Sequence, residues 1–169
     1  MKSSQKTFYL ICDNIRSLEN IGSIFRTADA LGVDKIFLAG ICGTPPVCNA
    51  CASIAGRPHP KISKTALGAE KNIGWEYHWQ IWRIIDRLKR DKVKIVSLEQ
   101  TSNSVCYTQF QPKFPLALAI GNEVKGVSKS VLNRSDAVIH LPMRGKKESL
   151  NVAVAFGAVG YYLSQFRNK

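Results

Sequence analysis

Short apolar runs rich in β-branched and aromatic residues alternate with amphipathic segments along almost the whole chain. Strands that alternate with helices usually pair in parallel, so the pattern predicts an α/β fold: a mainly parallel sheet with flanking helices. The predicted strands cover residues 6–12, 35–39, 93–98, 116–120 and 137–141, with an ambiguous aromatic run at 75–79. The predicted helices cover residues 20–32, 60–70, 81–88, 127–132 and 150–166.

The chain carries 24 Lys and Arg against 12 Asp and Glu, a net charge of +12 in 169 residues. Phosphate contacts supply most non-specific affinity for nucleic acids, so this balance favours a polyanionic partner, with a plain solubility charge as the alternative. The length predicts a single domain over 1–169. No run of about 18 to 20 apolar residues predicts a membrane span, and five scattered cysteines favour a cytoplasmic protein with reduced thiols.

The first candidate segment, 20–32, has one apolar side and one polar side when drawn as a helix. Asn20 is a residue type that often caps a helix N-terminus. Opposite the apolar stripe lie Gly22 and, one turn later, Arg26. A glycine in a first helical turn costs about 1 kcal/mol relative to alanine, which suggests that something approaches the backbone there. The arrangement suits a phosphate or a ribose, with a solvated arginine as the alternative.

The second segment, 119–128, reads AIGNEVKGVS and follows a predicted buried strand. Ligand clefts of α/β proteins lie at the carboxyl ends of parallel strands, so Glu123 is a candidate ligand residue and Gly121 leaves room for the ligand. An ordinary polar turn is the alternative. The chain contains neither a Gly-x-Gly-x-x-Gly fingerprint nor a phosphate-binding Gly-Lys-Ser/Thr loop, which argues against a dinucleotide-dependent enzyme.

The third segment, 140–155, leads from the last predicted strand through a basic loop into the final helix. Ser149 and Asn151 both stand where this helix begins, although one cap needs only one of them. The spare polar group is therefore free to face a substrate, with a redundant cap as the alternative. The final helix has few charges, which predicts that more than one of its faces is buried, in a dimer interface or in the core.

The three segments, in this order and spacing, resemble the SpoU (TrmH-like) branch of the SPOUT RNA methyltransferases. The resemblance rests on Asn20-x-Gly-x-Ile-x-Arg26-Thr-Ala, Gly121-Asn-Glu-x-x-Gly-Val-Ser128 and Leu141-Pro-Met-x-Gly-x-x-x-Ser-Leu-Asn-Val. It implies a SPOUT-type α/β knot, a deep C-terminal trefoil, although knots are rare among folds. It also implies a homodimer that uses S-adenosyl-L-methionine to methylate a ribose 2′-hydroxyl of RNA. Transfer RNA is favoured over ribosomal RNA, and a non-catalytic RNA-binding relative is a further alternative.

The resemblance also assigns roles to individual residues and implies no bound metal. Its catalytic arginine falls on Arg26, with polar companions at Asn20, Glu123, Ser149 and Asn151. The implied cofactor-binding residues are Leu98, Gly121, Asn122, Leu141, Met143, Ser149 and Leu150. Proposals for the family make the arginine the base, but a guanidinium is hard to deprotonate in water. Gripping a phosphate and stabilising a developing alkoxide suit a guanidinium better, and the proton acceptor stays open.

The predicted loop over 40–60 departs from the family pattern because it is long and holds Cys42, Cys48, Cys51 and His59. These residue types can bind zinc, but their spacing matches no standard zinc site. The sequence is also expected to lack an appended RNA-binding domain. Target recognition is then expected to rest on the basic surface of the dimer or on a partner protein.

Overall fold

The computed structural model describes residues 6–46 and 57–167. Within these ranges the strands are β1 (Phe8–Asp13), β2 (Lys35–Ala39), β3 (Gly43–Thr44), β4 (Arg57–Pro58), β5 (Gly74–His78), β6 (Lys94–Leu98), β7 (Val105–Cys106), β8 (Leu116–Gly121) and β9 (Ala137–His140). The helices are α1 (Leu18–Ala30), α2 (Lys61–Ala66), α3 (Ala69–Asn72), α4 (Ile81–Arg90), α5 (Lys129–Leu132) and α6 (Val152–Ser164). None of the helices in this part of the chain combines the length and the hydrophobicity that crossing a membrane requires.

Seven strands form one sheet in the order β5-β2-β1-β8-β6-β9-β7, and its pairings are all parallel. Strands β1 and β8 are neighbours within it, and all six residues of each are buried. Strands covered on both faces read as continuous apolar runs, which is why the sequence pattern predicts these two well. The predicted α/β fold with a mainly parallel sheet is confirmed, and the ambiguous run at 75–79 is β5. The trefoil knot stays a prediction.

Helices cover both faces of the sheet. Along β1, Leu10 and Cys12 face a core that α1, α2 and α6 complete, while Tyr9 and Ile11 face a core that α4 and α5 complete. This alternation follows from the two-residue period of a strand. Because the seven strands of the sheet are parallel, their carboxyl ends meet at one edge, and the loops that leave this edge lie close together.

Helix α1 begins two residues earlier than predicted. Its N-cap is Ser17, whose Oγ accepts a hydrogen bond from the backbone N–H of Asn20 at 3.1 Å. The prediction that Asn20 caps this helix is therefore wrong, because the serine three residues earlier already satisfies the free N–H group. The Asn20 side chain is left available for other contacts.

Gly22 is buried against α2 and does not form a bare patch beneath Arg26. A Cβ at Gly22 would lie 2.5 Å from the carbonyl oxygen of Ile62 and closer still to Thr65 Oγ1. Something does approach the backbone here, as the sequence suggests, but it is a neighbouring helix. The interpretation of Gly22 as part of a phosphate or ribose site is wrong.

Two further helices differ from expectation. The helix predicted over 60–70 is divided into α2 and α3, because Leu67 and Gly68 take positive φ values of 52° and 94°. Within this single chain, one face of helix α6 is buried. Its residues are Val152, Phe156, Val159, Gly160 and Leu163. Its opposite face exposes Val154 and Tyr161, so the second buried face that the sequence predicts is not formed within the described part of this chain.

Candidate active site

A cleft of about 370 Å³ opens at the carboxyl edge of the sheet, where β6, β8 and β9 end. This volume lies in the range of small-molecule sites. Its walls come from the ends of those strands and from the segment that precedes α6. All of the residues that the resemblance implies for cofactor binding line it: Leu98, Gly121, Asn122, Leu141, Met143, Ser149 and Leu150. Their role in binding stays a prediction, but the fold brings them together.

The loop after β8 is a tight turn that forms one wall of the cleft. Asn122 and Gly126 exchange two backbone hydrogen bonds, of 3.0 and 2.9 Å. The Asn122 Oδ1 also accepts from two backbone N–H groups within the loop, at 3.0 and 2.9 Å. A Cβ at Gly121 would collide with the backbone of Gly126 and Val127. The loop's own packing therefore requires this glycine, which corrects the interpretation that it leaves room for a ligand.

Two carboxylates outside the predicted site hold this loop against the sheet. Glu99 Oε2 accepts from the Val127 N–H at 2.7 Å, and Asp13 Oδ2 accepts from the Ser128 N–H at 2.8 Å. Asp13 closes β1 and Glu99 directly follows β6. The signal that could have found them is the one that singled out Glu123, an acidic residue at the carboxyl end of a strand.

A chain of side-chain hydrogen bonds joins the three segments of the resemblance. Asn20 Nδ2 donates to Glu123 Oε1 at 2.9 Å, and Asn151 Nδ2 donates to Asn20 Oδ1 at 2.9 Å. Asn151 Oδ1 in turn caps α6 by accepting from the Ala153 N–H at 2.9 Å. Because an ionised carboxylate can only accept, Glu123 sets the orientation of both amides. We call Glu123, Asn20 and Asn151 the amide relay.

Glu123 is partly buried, and several donors converge on it. Burial opposes its ionisation, but hydrogen bonds from Asn20 and from backbone N–H groups, Ser17 among them, outweigh burial and lower its pKa. Asn122 Nδ2 lies 3.4 Å from the second carboxylate oxygen. A carboxylate with a lowered pKa is ionised at neutral pH, so Glu123 acts as a fixed negative charge in the cleft wall.

The cleft is acidic although the chain is basic. Glu99, Glu123 and Glu148 line it, and no Lys or Arg is among its lining residues in the described part of the chain. Carboxylates that face a shared space favour a cation there. The cleft therefore suits a small ligand that carries positive charge.

Arg26 lies apart from the cleft. It is exposed and follows Asn20 by six residues, which places it about 9 Å further along the axis of α1. Its side chain makes no hydrogen bond or ion pair with the residues that the structure describes. Ser149 lines the cleft and Glu123 belongs to both the cleft and the relay. The structure thus unites the predicted polar companions near one edge but leaves Arg26 outside.

A second groove runs between α1 and α6 and meets the amide relay. Its lining residues are Asn20, Ser23, Thr27, Asn151, Ala153, Val154, Gly157, Ala158 and Tyr161. Asn20 and Asn151 therefore connect this groove to Glu123 in the acidic cleft. Arg26 follows Ser23 by three residues, so the two side chains are neighbours on the surface of α1.

The described part of the chain offers no support for the zinc alternative. Cys48 and Cys51 lie outside the described residues. Cys42 Sγ accepts a hydrogen bond from the Ile15 N–H at 3.2 Å, and burial raises the pKa of this thiol to about 12, which disfavours the thiolate that zinc binds. Among the described residues no group of three or more His, Cys, Asp or Glu is placed to hold a metal ion.

Known proteins share sequence similarity with the part of the chain that contains the three segments. The sequence model of the SpoU rRNA Methylase family matches residues 7–161. The chain belongs to this family. This SpoU-family chain is 31% identical over 159 residues to the 23S rRNA (guanosine(2553)-2′-O)-methyltransferase RlmP of Bacillus subtilis, a match that covers 91% of this chain and 56% of RlmP. It spans 56% to 62% of the length of the first curated relatives that it matches.

Solved structures of SpoU-family proteins share the fold. One is the A. aeolicus TrmH/SpoU tRNA modifying enzyme, with 26% identity, a TM-score of 0.80, and coverage of 99% of this chain and 78% of that one. Another is the SpoU methyltransferase AviRb from Streptomyces viridochromogenes, in complex with the cofactor AdoMet. AviRb has 24% identity and a TM-score of 0.82, over 98% of this chain and 60% of its own.

Proposed function

We propose that this SpoU-family chain transfers a methyl group from S-adenosyl-L-methionine to a ribose 2′-hydroxyl of RNA. The observation that carries the proposal is the amide relay, which joins the three segments of the resemblance beside an acidic cleft. RlmP is named as a 2′-O-methyltransferase and AviRb was solved with AdoMet, and both names support the proposed reaction.

S-adenosyl-L-methionine fits the chemistry of the cleft because its sulfonium and amino groups are cationic. Glu99, Glu123 and Glu148 line the cleft, its described lining residues include no lysine or arginine, and leucine side chains add apolar surface. When bound, this cofactor supplies an electrophilic methyl group. The residues that would hold it are Leu98, Gly121, Asn122, Leu141, Met143, Ser149 and Leu150.

Transfer to a 2′-hydroxyl forms a carbon–oxygen bond while the carbon–sulfur bond breaks, with its electron pair left on sulfur and the hydroxyl proton released. Positioning can supply most of the rate of such a step, and no metal is required. The relay keeps the Asn20 and Asn151 amides in fixed orientations, while Ser149 offers a further hydroxyl in the cleft wall. Arg26 would grip the phosphate beside the target ribose and stabilise negative charge on the attacking oxygen.

This role for Arg26 requires a second copy of the chain, because Arg26 does not line the cleft of its own chain. We therefore place the homodimer contact at the groove between α1 and α6. Val154 and Tyr161 are 58% and 53% exposed there, and the groove between them is lined by small residues. An open apolar helix face of this kind is typical of a protein interface.

The proposal extends to the domain organisation, the location and the RNA class. The chain would act as a single domain over 1–169, in the cytoplasm, with the SPOUT-type knot that the family resemblance implies. Transfer RNA is the predicted substrate class and ribosomal RNA the alternative. The net charge of +12 supports either polyanion.

The decisive assay incubates the full chain with bulk transfer RNA or ribosomal RNA and S-adenosyl-L-methionine that carries a labelled methyl group. Mass spectrometry of nuclease digests should then find 2′-O-methylated nucleosides in transfer RNA. Calorimetry should detect binding of S-adenosyl-L-methionine but not of NAD. Cofactor binding without transfer to either RNA would contradict the proposed reaction, and RNA binding without cofactor binding would favour the non-catalytic relative.

Arg26→Ala should retain cofactor binding and lose transfer by about 100-fold or more, because one charge-stabilising donor is removed. Leu150→Arg should lose cofactor binding, because it places a cation in the acidic cleft. Half of the dimers in an equal mixture of the two variants carry both chains, and each has one complete site, so activity should recover to about one quarter of wild type. No recovery would refute the placement of Arg26 at a partner's cleft, and near-normal turnover of Arg26→Ala would refute its role.

A further inference from the structure

Two tryptophans and an arginine form an exposed surface outside the cleft and the dimer groove. Trp79 is 70% exposed and Trp82 is 39% exposed, and neither ring belongs to the two hydrophobic cores. The guanidinium of Arg83 lies over the Trp82 ring, 5.3 Å from its centroid. Large aromatic side chains usually bury most of their surface. Two exposed tryptophans three residues apart therefore indicate a surface that binds another molecule. We call Trp79, Trp82 and Arg83 the tryptophan patch.

The tryptophan patch lies at the same edge of the sheet as the acidic cleft. Trp79 directly follows β5, and Trp82 and Arg83 belong to the first turn of α4. Strand β5 stands three positions from β8 in the sheet, a lateral distance of about 14 Å at the usual strand spacing. A few nucleotides of an RNA strand can bridge such a distance, so one RNA molecule can contact both places.

The surroundings of the tryptophan patch are basic. Arg90 follows Arg83 by seven residues, two helical turns or about 10 Å along the same side of α4. Neither arginine makes an ion pair with the described residues, whereas Asp86, which lies between them, is paired with Arg134 at 3.4 Å. The surface therefore offers two arginines that make no ion pair with the described residues, near the aromatic rings.

We propose that the tryptophan patch is a base-stacking platform for an unpaired stretch of the RNA substrate. This inference rests on the proposed action on RNA and adds where the RNA is held. Aromatic side chains stack on every base, and adjacent cations track the phosphates, which together are the usual means of holding single strands. Nucleic acid is favoured over a protein partner because Arg83, beside the rings, and Arg90, further along α4, make no ion pair with the described residues, and a phosphate backbone complements them.

The test compares binding of a 12-nucleotide single-stranded RNA and a 12-base-pair RNA duplex by fluorescence anisotropy, using the full chain. Trp79→Ala and Trp82→Ala should each weaken single-strand binding by about 5- to 150-fold, the usual range for one stacked base. Trp82→Phe keeps an aromatic ring and should recover most of the affinity. Duplex binding should change by less than about twofold, because paired bases are not free to stack.

Arg90→Ala is the matched control for charge without stacking. It should weaken binding of both RNA forms similarly and lower the salt dependence by about one phosphate contact. Binding of S-adenosyl-L-methionine should stay unchanged in every variant, which confirms that each one folds.

The outcomes separate this inference from the proposed function. If the wild-type protein methylates RNA but the tryptophan variants bind single strands normally, the stacking platform is overturned and the proposed function is not. A wild-type chain that neither binds nor methylates RNA would overturn both. Sedimentation that shows lost self-association in the tryptophan variants, with RNA affinity intact, would identify a protein contact and would also overturn the platform.

Discussion

Replacing Glu123 with glutamine tests whether methyl transfer depends on the hydrogen bonds of the amide relay or only on the negative charge in the cleft. Glutamine keeps the length and shape of the side chain but removes the negative charge and replaces one acceptor oxygen with a donor group. If the remaining oxygen faces Asn20, the 2.9 Å bond persists in neutral form. The new NH₂ group then faces the Asn122 Nδ2 across the 3.4 Å that now separates it from the carboxylate, donor against donor.

The magnitude follows from the hydrogen bonds involved. Bonds to a charged group contribute about 1.5–3 kcal/mol and neutral ones about 0.5–1.5 kcal/mol, and the donor-donor contact adds a penalty. A loss of about 1–3 kcal/mol in the ordering of the relay corresponds to about a 5- to 150-fold drop in kcat/KM for methyl transfer. The thermal midpoint should fall by about 2–12 °C, because 1 kcal/mol corresponds to about 2–4 °C in a chain of this length.

Glu148→Gln is the matched control, because Glu148 lines the same cleft but makes no side-chain hydrogen bond with the described residues. Both variants remove one negative charge, and only Glu123→Gln disturbs the relay. A double-mutant cycle of Glu123→Gln with Asn20→Ala should show a coupling energy above about 1 kcal/mol in kcat/KM. Equal losses in the two glutamine variants, or a coupling near zero, would refute the reasoning from the relay.

Two further predictions concern the fold that supports the site. Gly22→Ala should lower the free energy of unfolding in urea by about 1–3 kcal/mol, since its Cβ would lie 2.5 Å from the Ile62 carbonyl oxygen, whereas Gly74→Ala, whose Cβ would have no atom within 4 Å, should not. A free energy of unfolding that rises by about 1 kcal/mol in Gly22→Ala, as helix propensity alone predicts, would contradict this packing. Burial opposes ionisation of Glu76, but its pKa is lowered to about 2 by hydrogen bonds from Arg87, Lys35 and His78. The stabilisation that ionised Glu76 provides is therefore complete above about pH 4.5 and is lost as the pH falls towards 2. The melting temperature of Glu76→Gln should vary less than that of the wild type between pH 4.5 and pH 2. An equal variation in the two proteins would count against the network.

Local periodicity predicts an element well when one face of that element packs against the sheet and the other faces solvent. In α4 the apolar positions at i, i+3, i+4 and i+7 are the buried ones: Ile81, Ile84, Ile85 and Leu88. The start of α1 is harder, because Ser17 and Asn20 are both good caps three residues apart. Which of them caps depends on whether the Asn20 side chain finds another partner, and that partner, Glu123, lies 103 residues away.

Glu99 shows why part of the site escaped prediction. Its role is to accept a hydrogen bond from Val127, which lies 28 residues further along the chain. Strand β6, which precedes Glu99, and β8, which precedes the loop, are neighbours in the sheet although β7 comes between them in sequence. The order of strands in the sheet, which no local pattern encodes, therefore decides this contact.

By itself the sequence determined the parallel α/β architecture, the positive surface charge and the three segments that resemble the SpoU family, because each of these is carried by neighbouring residues. Tertiary structure decided that these segments meet in one relay. Asn20 reaches Asn151 across 131 residues of sequence, and Gly22 packs on α2 instead of facing a ligand. Hydrogen-bond partners and helix contacts depend on strand order and helix packing, so they emerge only when the whole chain has folded.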